Sequence, residues 1–249
     1  MGKIVAIGGG IIGKKGRDAV TRKIDEEIVA LTGKTNPSLL FVPTASEDSK
    51  SACFLMRKYF GGKLGCQTDN LLLLKEKYSQ EELERKIFGA DIIYVGGGNT
   101  LKMMTVWRKL GVDALLKTAF EKGIVLAGVS AGAICWFACG NSDSGNDADD
   151  KKLIKINGLN LIQALFCPHY DSEVHRQEDL KRMMKSVSKM PAIALENCSA
   201  IEIVDGKYRI IISQPVAKAY KIFWKKGIYH KEEIVLKEEY QSLEGLLKK

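Results

Sequence analysis

The chain has 249 residues, 45% of them hydrophobic and 27% charged, a balance that fits a globular protein and excludes a disordered one. Its longest mostly apolar stretch, Ile124 to Cys139, is broken by Ser130 and two glycines and is shorter than the roughly 20 residues that cross a bilayer. With no signal-peptide core in the glycine-broken start MGKIVAIGGGIIGKKG, a cytoplasmic protein without a membrane partner is expected. The net charge of +8 comes from lysines interleaved with glutamates, as in the run from Lys218 to Lys249, which reads as a solvated surface and not as a nucleic-acid footprint.

In chain order, apolar strand-like runs alternate with amphipathic helical ones. Lys3 to Ile7 reads as a strand, Arg17 to Leu31 as a helix, and Ser38 to Val42 as a strand ending in Pro43-Thr44-Ala45-Ser46. Ser51 to Tyr59 follows as a helix, Asn70 to Leu74 as a strand, and Ser79 to Ile87 as a helix opened by a capping-box pair, Ser79 and Glu82. Then come a strand at Asp91 to Val95, helices at Thr100 to Trp107 and Val112 to Lys122, and a strand at Ile124 to Ala127 running into a helix at Ala131 to Cys139. Such alternation implies a mostly parallel sheet covered by helices on both faces. The polar stretch Asn141 to Lys152 reads as an exposed loop. Beyond it stand a strand at Leu161 to Cys167, a helix at Glu173 to Met184, and short strands at Ala192 to Leu195, Ser199 to Val204, Tyr208 to Ile212 and Ala219 to Trp224. No repeat or linker divides the chain, so residues 1–249 are expected to form a single domain with a small antiparallel region near the C-terminus.

The strongest chemical signal is Gly128-Val129-Ser130-Ala131-Gly132. G-x-S-x-G between a strand and a helix is a nucleophile elbow, which crowds the serine into an exposed position at the strand end and leaves the Ala131 NH facing a developing oxyanion. A second cluster, Gly96-Gly97-Gly98-Asn99-Thr100, also lies between a strand and a helix, so both emerge on the carboxyl edge of a parallel sheet, where ligands bind. The NH of Gly97 or Gly98 is a candidate second oxyanion donor, and Asn99 a candidate substrate contact. A third, Gly8-Gly9-Gly10-Ile11-Ile12-Gly13, contains G-x-G-x-x-G, but the second strand ends without the acid that a dinucleotide ribose requires.

A serine nucleophile needs a base, and among the three histidines His169 follows an apolar strand-like run, whereas His175 opens a charged helix and His230 sits among lysines and glutamates. Glu196, closing the run Ala192 to Leu195, is the candidate acid that orients the imidazole, with Asp143, Asp147, Asp149 and Asp150 of the polar loop as competitors. The order Ser, His, Glu differs from that of α/β-hydrolases. The six scattered cysteines contain no C-x-x-C and no two histidines are spaced as metal ligands, so neither a metal nor an organic cofactor is expected.

Together, GGGNT, G-x-SAGA some thirty residues later, then PHY and a late ALEN, over roughly Lys3 to Ile212, resemble the peptidase E and cyanophycinase family of serine peptidases. The resemblance implies a flavodoxin-like three-layer α/β sandwich related to class I glutamine amidotransferases. It also implies Ser130 as nucleophile, His169 as base, Glu196 as acid, and Gly98 with Ala131 as oxyanion donors. Peptidase E members cleave dipeptides with an N-terminal aspartate and cyanophycinases cleave β-aspartyl-arginine units. This chain looks closer to the first, which implies a small aspartyl peptide as substrate; a cyanophycinase-like or isoaspartyl hydrolase and a silent ligand-binding relative are the alternatives. A homodimer is compatible with this reading. An aspartate substrate calls for a cation, for which Arg176, seven residues beyond His169, is the candidate, while Asp143 and Asp147 are candidates for the substrate's amino group.

Overall fold

Four apolar runs and one polar edge segment form parallel strands: β1 (Lys3–Ile7), β2 (Ser38–Val42), β4 (Ile92–Val95) and β5 (Val125–Val129) are apolar, and β3 (Gln67–Asn70) is the polar one, at the sheet edge. β4 is wholly buried and β5 is buried over its first four residues, because a parallel strand crossed by helices on both sides has no face left for water. The computed structural model describes residues 2–10, 12, 19–145, 153–172, 175–187 and 189–248. Later strands are β6 (Phe137–Ser142), β7 (Ile154–Asn157), β8 (Ile162–Cys167), β9 (Ala192–Leu195), β10 (Ser199–Val204), β11 (Lys207–Ile212), β12 (Ala219–Lys225), β13 (Ile228–Glu233) and β14 (Gln241–Ser242).

They build two sheets. One has eight strands in the order β14-β11-β10-β1-β5-β4-β2-β3, the other six in the order β13-β12-β9-β8-β6-β7. The α/β class expected from the alternation of elements is present, but the single mostly parallel sheet is not. β10 pairs antiparallel with β1, from Lys3 opposite Val204 to Ile7 opposite Ala200, so the first sheet is mixed, and the second sheet is mixed as well. The parallel segment β3-β2-β4-β5-β1 also departs from the 2-1-3-4-5 order of flavodoxin.

The second sheet begins where a long helix was expected. α6 (Ala131–Ile134) lasts four residues and the chain leaves it as β6. Ala131 to Phe137 are all buried, and a run buried on every side carries no period that separates helix from strand. The third strand likewise occupies Gln67–Asn70, ahead of its expected place.

Helices α1 (Arg22–Ala30) and α2 (Lys50–Met56), the latter continuing into a π-helical turn at Arg57–Gly61, cover one face of the larger sheet over a core that includes Val5, Ile24, Ile28, Phe41 and Phe60. The largest core lies on the opposite face. There α3 (Gln80–Phe88), α4 (Thr100–Leu110), α5 (Val112–Glu121) and α6 pack with residues of both sheets in a core that holds Ile4, Val95, Phe166 and Leu195 of the strands, Trp107 of α4 and Trp136 after α6. The outer face of the smaller sheet is covered by α7 (Arg176–Ser186) through Leu180, Met183 and Met184, and α8 (Leu243–Leu247) closes against β11. α3 starts at the expected capping box: Ser79 Oγ accepts from the Glu82 NH at 3.2 Å and Glu82 Oε2 accepts from the Ser79 NH at 2.8 Å. Among the described residues no helix is long and apolar enough to cross a membrane.

Candidate active site

β5 ends at Ser130, which adopts φ 56° and ψ −114°, a conformation that L-residues rarely occupy and that clusters at functional sites. Its NH donates to the Ile7 carbonyl at 3.2 Å, and its own carbonyl accepts from the Ala133 and Ile134 amides, each at 2.9 Å. The turn is possible because its glycines sit against backbone. A Cβ on Gly132 would lie 2.2 Å from the Val95 carbonyl oxygen, and one on Gly128 would lie 2.3 Å from that of Gly132. The half-buried hydroxyl therefore stands at the carboxyl edge of the central strands, as the G-x-S-x-G pattern predicts.

His169 is brought to that edge by β8. Its residue also has positive φ, 51°, and its NH donates to the Gly8 carbonyl at 3.0 Å. His169 Nε2 lies 2.9 Å from Ser130 Oγ, and Nδ1 lies 2.9 Å from Asn197 Oδ1. The Asn197 amide is held in turn by Asp171: its Nδ2 donates to Oδ1 at 3.1 Å and Oδ2 at 3.3 Å, and its backbone NH donates to Oδ1 at 2.9 Å. A carboxylate only accepts, so Asn197 must turn Nδ2 toward Asp171 and Oδ1 toward the imidazole. That places the hydrogen on Nδ1 and leaves Nε2 as acceptor for the serine hydroxyl.

The expectation that Glu196 orients His169 is corrected here. Glu196 Oε2 accepts from the Lys218 NH at 2.9 Å and Oε1 from the Tyr220 hydroxyl at 3.1 Å; burial, with the Glu196 charge as the next cause, pushes the Tyr220 phenol up to about 12. The reason is strand parity. On β9, Ile193 and Leu195 face the core between the sheets, whereas Ala192 and Ala194 face the α7 side, and Glu196 continues the second set while Asn197 continues the first. Asn197 and Asp171 are the residues that sequence reasoning missed; the NH₂-C=O group of an asparagine beside a candidate acid was the only signal. His175 stands at the N-cap position of α7, where its carbonyl accepts from the Asp179 NH at 3.0 Å, and His230 stacks on Phe223 with centroids 4.8 Å apart.

Neither the Gly98 nor the Ala131 NH donates to another group among the described residues, and Gly97 lies beside the nucleophile, its Cβ position 3.4 Å from Ser130 Cβ. Asn99 spends its side-chain oxygen as the cap of α4, accepting from the Lys102 NH at 2.8 Å. Trp107, fully buried on α4, donates from Nε1 to Thr44 Oγ1 at 3.3 Å and ties that helix to the loop after β2. The start of the polar loop is pinned as well: the Thr100 NH donates to Ser144 Oγ at 2.7 Å and Ser142 Oγ donates to Thr100 Oγ1 at 3.0 Å. Asp143 is exposed between them, whereas Asp147, with Asp149 and Asp150, lies outside the described residues. Arg176 is 2% exposed and donates from Nη1 to the Asn141 carbonyl at 3.1 Å, one residue before Ser142. Among the described residues no three His, Cys, Asp or Glu side chains gather as a metal site.

With this geometry in place, comparison with known proteins is decisive: the Peptidase family S51 profile matches residues 4–211. The chain belongs to peptidase family S51. Among curated S51-like relatives, the uncharacterized peptidase YgaJ of Bacillus subtilis is 33% identical over 224 residues, covering 89% of this chain and 92% of the relative. A protein of Nostoc sp. described as peptidase E is 25% identical over 195 residues, covering 75% and 77% of the two chains. The fold is shared with a crystallised peptidase from an acI-B1 Actinobacterium (TM-score 0.71, 17% identity, 97% of both chains). It is also shared with a putative peptidase E of Listeria monocytogenes (TM-score 0.61, 21% identity, 85% of this chain and 98% of the other).

Proposed function

We propose that this S51 chain is a serine peptidase that cleaves the peptide bond after an N-terminal aspartate in dipeptides or small peptides through an acyl-enzyme. The observation that carries the reading is the 2.9 Å contact between Ser130 Oγ and His169 Nε2 at a strained strand end. His169, protonated on Nδ1 toward Asn197, takes the hydroxyl proton at Nε2 as Ser130 attacks the carbonyl carbon. The Gly98 and Ala131 amides receive the charge that develops on the carbonyl oxygen. The proton then passes from Nε2 to the leaving amine, and water enters by the same route to release the aspartyl product. Arg176 is kept as the candidate reader of the aspartate carboxylate on the fork chemistry of its guanidinium alone, since it is 2% exposed and donates to the Asn141 carbonyl. Asp143, exposed on that segment, and Asp147 remain the candidates for the substrate's amino group.

The test is a panel of α-linked and β-linked aspartyl, asparaginyl and glutamyl dipeptides and aspartyl anilides, run beside labelling with a serine-directed phosphonate. Labelling confined to Ser130 and turnover of α-aspartyl substrates are expected. Labelling without turnover of any aspartyl compound would remove the specificity while keeping the nucleophile.

A further inference from the structure

The contact that orients His169 is made by an amide, and an amide has two ends. Asn197 presented through Nδ2 would donate to Nδ1 and select the Nε2-protonated imidazole, which cannot take a proton from Ser130. Nothing in Asn197 itself decides between the two orientations. Asp171, two residues beyond His169, does: both carboxylate oxygens accept from Asn197 Nδ2 and Oδ1 also accepts from the Asn197 NH. An acceptor-only group on that side leaves one satisfied orientation, with Oδ1 on the imidazole.

The geometry points to Asp171 as a positioning residue that sets the tautomer of His169 through Asn197, so that the acid of this site acts one hydrogen bond removed from the imidazole. The inference rests on Ser130 and His169 doing the chemistry proposed above. It also explains how an asparagine serves where a negative charge is the common solution. The amide supplies the acceptor and the carboxylate behind it supplies the direction.

Asp171→Asn keeps the size of the side chain and an oxygen for the Asn197 NH, but it lets two amides face each other in either sense. Histidine nitrogen NMR on the purified full chain should show His169 as the Nδ1–H tautomer in the parent, and the Nε2–H form should become populated in Asp171→Asn. With an aspartyl substrate, kcat should fall at least about 10-fold, as expected for a triad in the wrong tautomer, while KM moves less than about twofold. The double variant Asp171→Asn with Asn197→Asp exchanges the two groups and places an acceptor-only carboxylate on Nδ1. It should restore the Nδ1–H tautomer and bring kcat to within about 10-fold of the parent. The acidic limb of kcat/KM should also move to higher pH, because the carboxylate now touches the imidazolium. An unchanged tautomer and kcat in Asp171→Asn would overturn the proposal, and so would a fall in kcat with an unchanged tautomer that the exchange does not repair. If the parent turned over none of the peptides, the peptidase reading would fall and the tautomer measurement alone would decide the role of Asp171.

Discussion

Holding Ser130 at φ 56° costs the fold on the order of 1–3 kcal/mol, and the three backbone hydrogen bonds to its NH and carbonyl offset that cost. Because the strain belongs to the backbone, Ser130→Ala keeps it and loses only the hydroxyl. Turnover of an aspartyl substrate should drop about 10³-fold or more in a steady-state assay, with an unchanged melting temperature. At the residue that orients His169 the geometry reverses the ranking drawn from the sequence. Asn197→Ala removes the Nδ1 acceptor and should lower kcat by on the order of 10²-fold. Glu196→Gln weakens the bonds from the Lys218 NH and the Tyr220 hydroxyl and should cost about 1 kcal/mol in a denaturant titration with kcat within about fivefold of the parent. The opposite order would return Glu196 to the imidazole.

At the scale of elements, the site is an intersection of strand ends. β1, β5 and β8 deliver Gly8–Gly10, Ser130 and His169 to one edge, and the turn after β9 adds Asn197. The first glycine cluster, whose spacing also occurs in dinucleotide-binding loops, is the wall behind the imidazole here: the Gly8 carbonyl accepts from the His169 NH and the Gly9 carbonyl accepts from the Cys198 NH at 2.8 Å. A Cβ on Gly9 would fall 2.0 Å from Asn197 Oδ1 and 2.4 Å from His169 Nδ1, between the two atoms whose contact the site needs. Gly9→Ala should therefore lower kcat about 10²-fold while the melting temperature changes by only a few degrees, since the groups it displaces are side-chain ends and not core. Comparing thermal melts with turnover separates that outcome from global unfolding. The short α6 between β5 and β6 has a similar logic: it touches β1, β4 and β5 on one side and β6 and β8 on the other, so a longer helix would hold the two sheets apart.

At the scale of the whole molecule, a buried carboxyl away from the site ties stability to pH. Asp25 on α1 is fully buried under the larger sheet, and burial raises its pKa to about 7, with the Thr21 hydroxyl only partly offsetting and Glu26 adding to the rise. Between its ordinary 3.8 and about 7 the folded chain keeps a proton that the unfolded chain releases, so stability declines as pH rises through that window and stays reduced above it. Asp25→Asn removes the ionisation. The variant should be more stable than the parent at pH 8 by on the order of 4 kcal/mol, and the difference should vanish toward pH 4, as read from chemical denaturation across pH. A variant less stable than the parent at pH 8 would show that the carboxylate is charged and paired in the fold.

The amino-acid sequence by itself determined the local events whose causes are local: the elbow at Gly128–Gly132, the capping box at Ser79 and Glu82, and the buried strands β1, β2, β4 and β5. Each follows from a residue type at a fixed spacing, where neighbours in the chain are neighbours in space. Ser130 and His169, 39 residues apart, were each marked by a position at the end of an apolar run, and the fold joins them. Only the tertiary structure decided that the run from Ala131 onward leaves a four-residue helix to found a second sheet, because a segment buried on all sides presents no periodic face. It also decided between Glu196 and Asn197, which differ by one position and therefore by the face of the sheet they meet. Asp171 was beyond reach because no motif marks it or Asn197 as a pair: their bond joins the turns after β8 and β9 and exists only after those strands lie side by side.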